Sequence, residues 1–241
     1  MNKESENKLL GILGGLGPMA TAYFYELLTA YTVAECDQEH IDMVISSKSS
    51  TPDRSSYILG LCKDNPLPVM ISEAKKLEAY GADVIAIPCN TAHYFYDGIA
   101  KETGIPVLNI ISETVDFLYR SGIKRAALFA TEGTCRAGTY QKIGEGKVDI
   151  VIPEKDEQDI ITSIIFDDIK RAKEPDIEKF TALANKMRDR GCERVILGCT
   201  ELSLIKKDFE IIKHDDFYTD SLTVLAKATV NACGKPCRDE I

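Results

Sequence analysis

Two of the eight cysteines, Cys89 and Cys199, recur in one local pattern. Residues 75–91 (KKLEAYGADVIAIPCNT) can be laid over residues 185–201 (NKMRDRGCERVILGCTE), and in both copies a glycine precedes the cysteine by eight positions (89 − 81 and 199 − 191). Each copy reads as a helix, a glycine stop, a β-branched strand and then the cysteine. Two similar units related by a pseudo-twofold axis would bring matching strand ends to a shared cleft, with Cys89 and Cys199 on opposite walls. Such a pair suits inversion of a stereocentre, which needs a base on one face and an acid on the other. A thiolate and a thiol exchange those roles at each turnover, provided that a helix N-terminus or polar contacts offset a free-thiol pKa of about 8.5. Asn90-Thr91 and Thr200-Glu201 follow the cysteines and are placed to cap the next helix, its amides beside a thiolate or a substrate carboxylate. The plainer alternative is a chance match of one helix–Gly–strand–Cys unit in a cysteine-rich chain.

The elements that must position these residues alternate as in a parallel sheet covered by helices. Strands are predicted at 9–13, 41–46, 83–87, 107–110, 126–130, 148–152 and 194–197, and helices at 21–33, 69–80, 176–190 and 221–232. Gly81 and Gly191 stand where a left-handed cap closes a helix. Residues 9–17 and 126–133 both read strand, small polar loop, helix, which extends the repeat to the start of each half. The expected fold is α/β: two pseudo-symmetric domains, each a parallel-rich sheet flanked by helices, with the active site between them. The expected boundaries are 1–112 with 212–241 for the first domain, closed by the C-terminal helix, and 113–211 for the second.

Composition narrows the partners. The 241 residues carry 29 Lys and Arg against 38 Asp and Glu, a net charge of −9 with no basic block, which argues against nucleic acid and anionic membrane. Residues 1–8 are polar, and no apolar run approaches the roughly 20 residues that span a bilayer, so the expected location is cytoplasmic. In a reducing compartment the cysteines are thiols. There is no pair of CxxC motifs and there are three histidines, so no metal is expected.

At the segments GILGGLGPMAT (11–21), Pro52-Asp53-Arg54, PCNTAH (88–93) and GCTE (198–201) the sequence resembles the aspartate/glutamate racemase superfamily, in its aspartate racemase branch. Glu201, where glutamate racemases usually have histidine, tilts the resemblance towards aspartate. It implies a cofactor-independent racemase acting on a small-molecule amino acid, with no metal or pyridoxal phosphate, and a homodimer. It implies Cys89 and Cys199 as the catalytic thiols, Cys199 acting on the L-enantiomer and Cys89 on the D-enantiomer. Asn90, Thr91, Thr131 and Thr200 would hold the α-carboxylate and amino group, Arg54 and Lys170 the side-chain carboxylate, and Met19 would line the cavity. A guanidinium suits the carboxylate role through two parallel bonds.

Without that resemblance, Arg54 reads as a solvated loop charge, Lys170 as an exposed helix lysine, and Asn90 and Thr91 as helix caps. His93 reads as a structural histidine, Asp53 as fixing the loop beside Arg54, and Glu201 as either hydrogen-bonding near the cysteine or capping. Other functions compete. Residues 15–20 (GLGPMA) fit the dinucleotide pattern G-x-G-x-x-A, but no acid closes the second strand and Pro18 removes an amide. A decarboxylase on the same scaffold needs one thiol, and a maleate isomerase uses two by attack at carbon. A catalytically silent amino-acid-binding protein completes the alternatives.

Overall fold

The computed structural model describes residues 8–239. In chain order its strands are β1 (Leu10–Gly14), β2 (Met43–Ser47), β3 (Val84–Ala86), β4 (Val107–Leu108), β5 (Arg125–Phe129), β6 (Asp149–Val151), β7 (Arg194–Leu197) and β8 (Tyr218–Asp220). The α-helices are α1 (Pro18–Tyr31), α2 (Arg54–Ile58), α3 (Leu67–Tyr80), α4 (Tyr96–Glu102), α5 (Ile110–Arg120), α6 (Glu132–Ala137), α7 (Thr139–Gly144), α8 (Lys155–Ser163), α9 (Ile177–Asp189), α10 (Leu202–Asp208), α11 (Glu210–Lys213) and α12 (Ser221–Ala232). The strands form two four-stranded sheets, ordered β2-β1-β3-β4 and β6-β5-β7-β8, with every pairing parallel. The fold is therefore α/β, and the repeat read from the sequence is a repeat of topology. Cys89 follows the third strand of one sheet, and Cys199 follows the matching strand of the other.

Local sequence explains these elements. The central strands are continuous apolar runs: all of β1 is buried, as are Val195, Ile196 and Leu197 of β7, as expected of strands covered on both faces. Helix α3 ends at Gly81 with φ 109°, and α9 is followed by Gly191 with φ 81°, the left-handed conformation that glycine adopts without a Cβ penalty. In the second sheet's core, Phe180 of α9 meets Phe129 edge-to-face at 5.6 Å and stacks on Tyr218 at 5.8 Å. No helix among the described residues is long and apolar enough to cross a membrane.

Several elements differ from the sequence expectation. Strand β8 was not foreseen, because Tyr218-Thr219-Asp220 is short and polar; it is held by pairing with β7, not by its own pattern. Ile110 opens α5 where it was expected to close a strand. The chain also divides at different points. One compact unit runs up to Pro52 and takes in Asn65–Ile110 and the residues from Leu222; the other holds Asp53–Asp64 and Ile111–Ser221. Residues 53–64 therefore belong with the second sheet, because α2 packs on α6, and β8 carries 218–220 there too.

The α2–α6 contact carries Arg54, and Gly133 makes it possible. A Cβ at Gly133 would lie 2.8 Å from Ser55 Cα and 2.9 Å from Ser55 Oγ. Gly133→Ala is expected to push α2 away and cost about 1–3 kcal/mol, the usual scale of overpacking. Urea unfolding of the variant measures this; an unchanged midpoint would show that α2 is not held against α6.

Candidate active site

In the first unit, the chain turns tightly after β3, where the Cys89 amide donates to Ile87 O at 2.8 Å. Cys89, Asn90, Thr91 and His93 are all buried in this turn and the 3-10 helix Thr91–Phe95 that follows. His93 anchors it. The Ile110 amide donates to His93 Nε2 at 3.2 Å, so that nitrogen is an acceptor, and the proton lies on Nδ1, which donates to Cys89 O at 2.8 Å. The ring stacks on Tyr96 at 5.9 Å, and the Tyr96 hydroxyl donates to Val107 O at 3.0 Å. Burial holds the imidazole below its usual pKa, against its two carbonyl neighbours, Cys89 O and Leu108 O. His93 is thus a neutral strut between the Cys89 turn and the start of α5, as its structural reading foresaw.

Met19 stands on the first turn of α1, 67% exposed. The glycine loop before it is closed on itself: the Gly15 amide donates to Thr21 Oγ1 at 3.0 Å, and that hydroxyl donates to Gly17 O. An amide that a dinucleotide phosphate would use is therefore already occupied.

In the second unit, parallel pairing of β5 and β7 (Phe129↔Leu197) brings Thr131 and Cys199 out at the same sheet edge. Thr131 caps α6, its Oγ1 accepting from the Thr134 amide at 3.2 Å and from Ser55 Oγ at 3.1 Å. Asp53 caps α2 by accepting from the Ser56 amide at 2.7 Å, which fixes Arg54 at the first helical position with its side chain buried. Burial works against the ionised Asp53, yet the Ser56 hydrogen bonds and the charges of Arg54 and Lys170 hold its pKa below the usual range. Sequence reasoning assigned Arg54 but passed over Ser55; the signal is a small hydroxyl beside the arginine that packs on a glycine.

The Cys199 thiol is buried and donates to Glu201 Oε2 at 2.9 Å. Glu201, itself buried, is paired through Oε1 with Lys170 Nζ at 3.5 Å. Lys170 also lies over the Phe166 ring at 4.6 Å. It sits on a 3-10 turn, Ile169–Arg171, after a π-helical turn, Ile164–Asp168, and before Ala172, whose φ is 55°. Such irregular turns concentrate at functional sites. Burial raises the Cys199 pKa well above the usual thiol range, helped by Glu201's charge and hydrogen bond; Lys170 and the Glu201 amide pull the other way. Thr200, between them, is buried.

One expectation is corrected. Neither Asn90 nor Glu201 caps the following helix with its side chain. Both have helical backbone angles, φ −61°, ψ −46° and φ −64°, ψ −36°, where a capping side chain needs an extended residue. Glu201 reaches back to the thiol instead. The structure thus gathers Cys199, Glu201 and Lys170 into one chain of contacts, links Arg54's helix to Thr131 through Ser55, and sets Cys89, Asn90, Thr91 and His93 in one turn.

This chain belongs to the family described as Asp/Glu/Hydantoin racemase, whose pattern matches residues 13–228, and it is an isomerase of that family. It is 30% identical over 231 residues to the broad specificity amino-acid racemase RacX of Bacillus subtilis (strain 168), covering 92% of this chain and 97% of that protein. Among solved structures it is similar to an aspartate racemase of Picrophilus torridus, at 31% identity and a TM-score of 0.82 over 96% of each chain. An aspartate racemase homologue from Pyrococcus horikoshii OT3, at 24% identity and a TM-score of 0.76, covers 95% of this chain and all of its own, and shares the fold.

The His93 strut has a pH signature. Its pKa is lowered by burial, so the unfolded chain binds the proton more tightly, and the stability His93 contributes is full above the ordinary imidazole pKa of 6.5. As pH falls below 6.5 towards the folded value, that stability is lost. Urea unfolding between neutral and mildly acid pH should show a steeper decline for the wild type than for His93→Gln. Equal slopes would mean that His93 protonates freely in the folded chain.

Proposed function

We propose that this protein racemises an acidic amino acid at Cα, aspartate first and glutamate second, without a cofactor, by proton transfer between Cys89 and Cys199. The observation that carries the acidic preference is in the second unit: the buried guanidinium Arg54 and Lys170 both act on Asp53, and Lys170 reaches the carboxylate on Cys199. Lys170, which acts on both Asp53 and Cys199, and Arg54 beside it on Asp53 would offer a second carboxylate a charge-matched seat. One cysteine, as thiolate, takes the α-proton; the Cα–H bond breaks and its electron pair passes into the α-carbon and carboxylate. The other cysteine gives its thiol proton to the opposite face and is left as thiolate. Asn90, Thr91, Thr131 and Thr200 hold the α-carboxylate and amino group, and Met19 lines the cavity. The similarity to RacX supports a second reading, in which neutral amino acids are also accepted.

Substrate range separates the two readings. If Arg54 seats the distal carboxylate, Arg54→Ala should lower kcat/KM for Asp by about 2–5 kcal/mol, the scale of a lost charged contact in a buried site. Neutral amino acids should lose much less. Equal losses for Asp and Ala would place Arg54 in the fold instead of the specificity.

Isotope exchange tests the mechanism. Cys89→Ala and Cys199→Ala should each abolish net racemisation, because the acid on the opposite face is gone. Each remaining thiol can still remove and return a proton on its own side. In D₂O, Cys89→Ala should exchange the α-hydrogen of L-Asp alone, and Cys199→Ala that of D-Asp alone, followed by NMR and chiral chromatography. Near wild-type racemisation by either variant would refute the two-thiol reaction.

A further inference from the structure

Glu201 is a buried carboxylate that the two-thiol reaction leaves without a task. We propose that Glu201 holds Cys199 as the protonated thiol, leaving Cys89 to carry the thiolate of the resting pair, and that Lys170 sets how strongly it does so. The inference rests on reading Cys199 as an acid–base thiol.

The geometry is specific. The S–H of Cys199 points at Glu201 Oε2, 2.9 Å away, and both side chains are buried. A hydrogen bond made by the protonated form stabilises that form, and a thiolate in the same place would face a carboxylate across a contact shielded from water. Lys170, 3.5 Å from the other oxygen, brings a positive charge to the same cluster and pulls the thiol the other way. Among the described residues, the charged groups acting on this thiol are Glu201 from its own loop and Lys170 from the turn after the π-helix, and Lys170 also acts, with Arg54, on Asp53 at the start of α2. The charges therefore oppose one another: Glu201 favours thiol and Lys170 favours thiolate.

The proton count closes. With Cys89 as thiolate, the α-proton passes to Cys89 Sγ as the Cα–H bond breaks, and the pair left on carbon takes the proton of Cys199 Sγ. Cys199 is then the thiolate, opposed by Glu201, and the proton on Cys89 returns to it through solvent once product has left. No other reactant is consumed, and Glu201 exchanges no proton with substrate.

Thiolate ultraviolet absorbance, titrated against pH in the full-length protein with Cys199→Ser subtracted as the blank, reads the Cys199 ionisation directly. Glu201→Gln should move that ionisation down by about one pH unit or more, a tenfold gain in thiolate fraction. Lys170→Met should move it up. Glu201→Asp, which withdraws the carboxylate from sulfur, gives the downward shift should the glutamine variant fail to fold. An ionisation unmoved by loss of the Glu201 contact, or lowered by Lys170→Met, overturns the proposal. The titration needs no turnover, so a chain without racemase activity would refute the functional reading and leave this result standing.

Discussion

Parallel pairing of the central strands is the constraint on which the candidate site depends. In a parallel sheet all carboxyl ends lie at one edge, so a loop after one strand is delivered beside the loop after its neighbour. Pairing of β1 with β3 (Leu10↔Val84) sends the glycine loop and the Cys89 turn out of the same edge of the first sheet. Pairing of β5 with β7 does the same for Thr131 and Cys199. Neither cysteine needs a special backbone to reach its place; a buried apolar strand and a parallel register suffice. The helices then hold the loops, as Thr131 does by capping α6 and Asp53 by capping α2.

The interior chemistry of the second unit follows from dielectric. A carboxylate and an ammonium brought together away from water gain attraction but lose hydration, and the net gain is small. The Glu201–Lys170 pair is therefore a poor stabiliser of the fold and a good modulator of a third group. That third group is the Cys199 thiol, close enough to feel both signs. The Glu157–Arg190 pair shows the contrast: two short bonds, 2.8 and 2.7 Å, join a buried glutamate to a partly exposed arginine, and among the described residues no thiol hydrogen-bonds to either. The first pair faces a thiol, whereas the second ties α8 to the end of α9.

Much of this was legible in the sequence, for identifiable reasons. The strand at 194–197 was read at its true bounds because Val195-Ile196-Leu197 is a buried apolar run that starts soon after Gly191 and stops at Gly198. The repeat was legible because helix, glycine cap and strand each carry a local signal. Strand β8 was not, because its stability comes from a neighbour distant in sequence. Residues 53–64 were assigned to the wrong side of a boundary because a short helix of polar residues has no periodicity to declare which core it joins; Gly133 decides that, far along the chain. Glu201's role was undecided between capping and hydrogen bonding, since both use the same side chain and only the backbone angles distinguish them. Apart from the family resemblance, Lys170 read as an ordinary helical lysine, because the π-helical turn that precedes it leaves no mark in composition.

The two halves repeat in backbone and differ in charge. After β3 the cysteine is followed by Asn90, Thr91 and a neutral His93 whose ring supports the Cys89 carbonyl, so the turn is fixed by uncharged hydrogen bonds. After β7 the cysteine is followed by Glu201, which carries charge to the sulfur and draws Lys170 to itself. A symmetric pair of thiols would share one ionisation evenly and offer no preference between acid and base. In the proposed pair, a carboxylate on one member and none in the matching position of the other would remove that degeneracy, while strand, glycine and cysteine repeat in both halves. The repeated α/β unit holds two matching cysteine positions, and the side chains that follow each cysteine make them inequivalent.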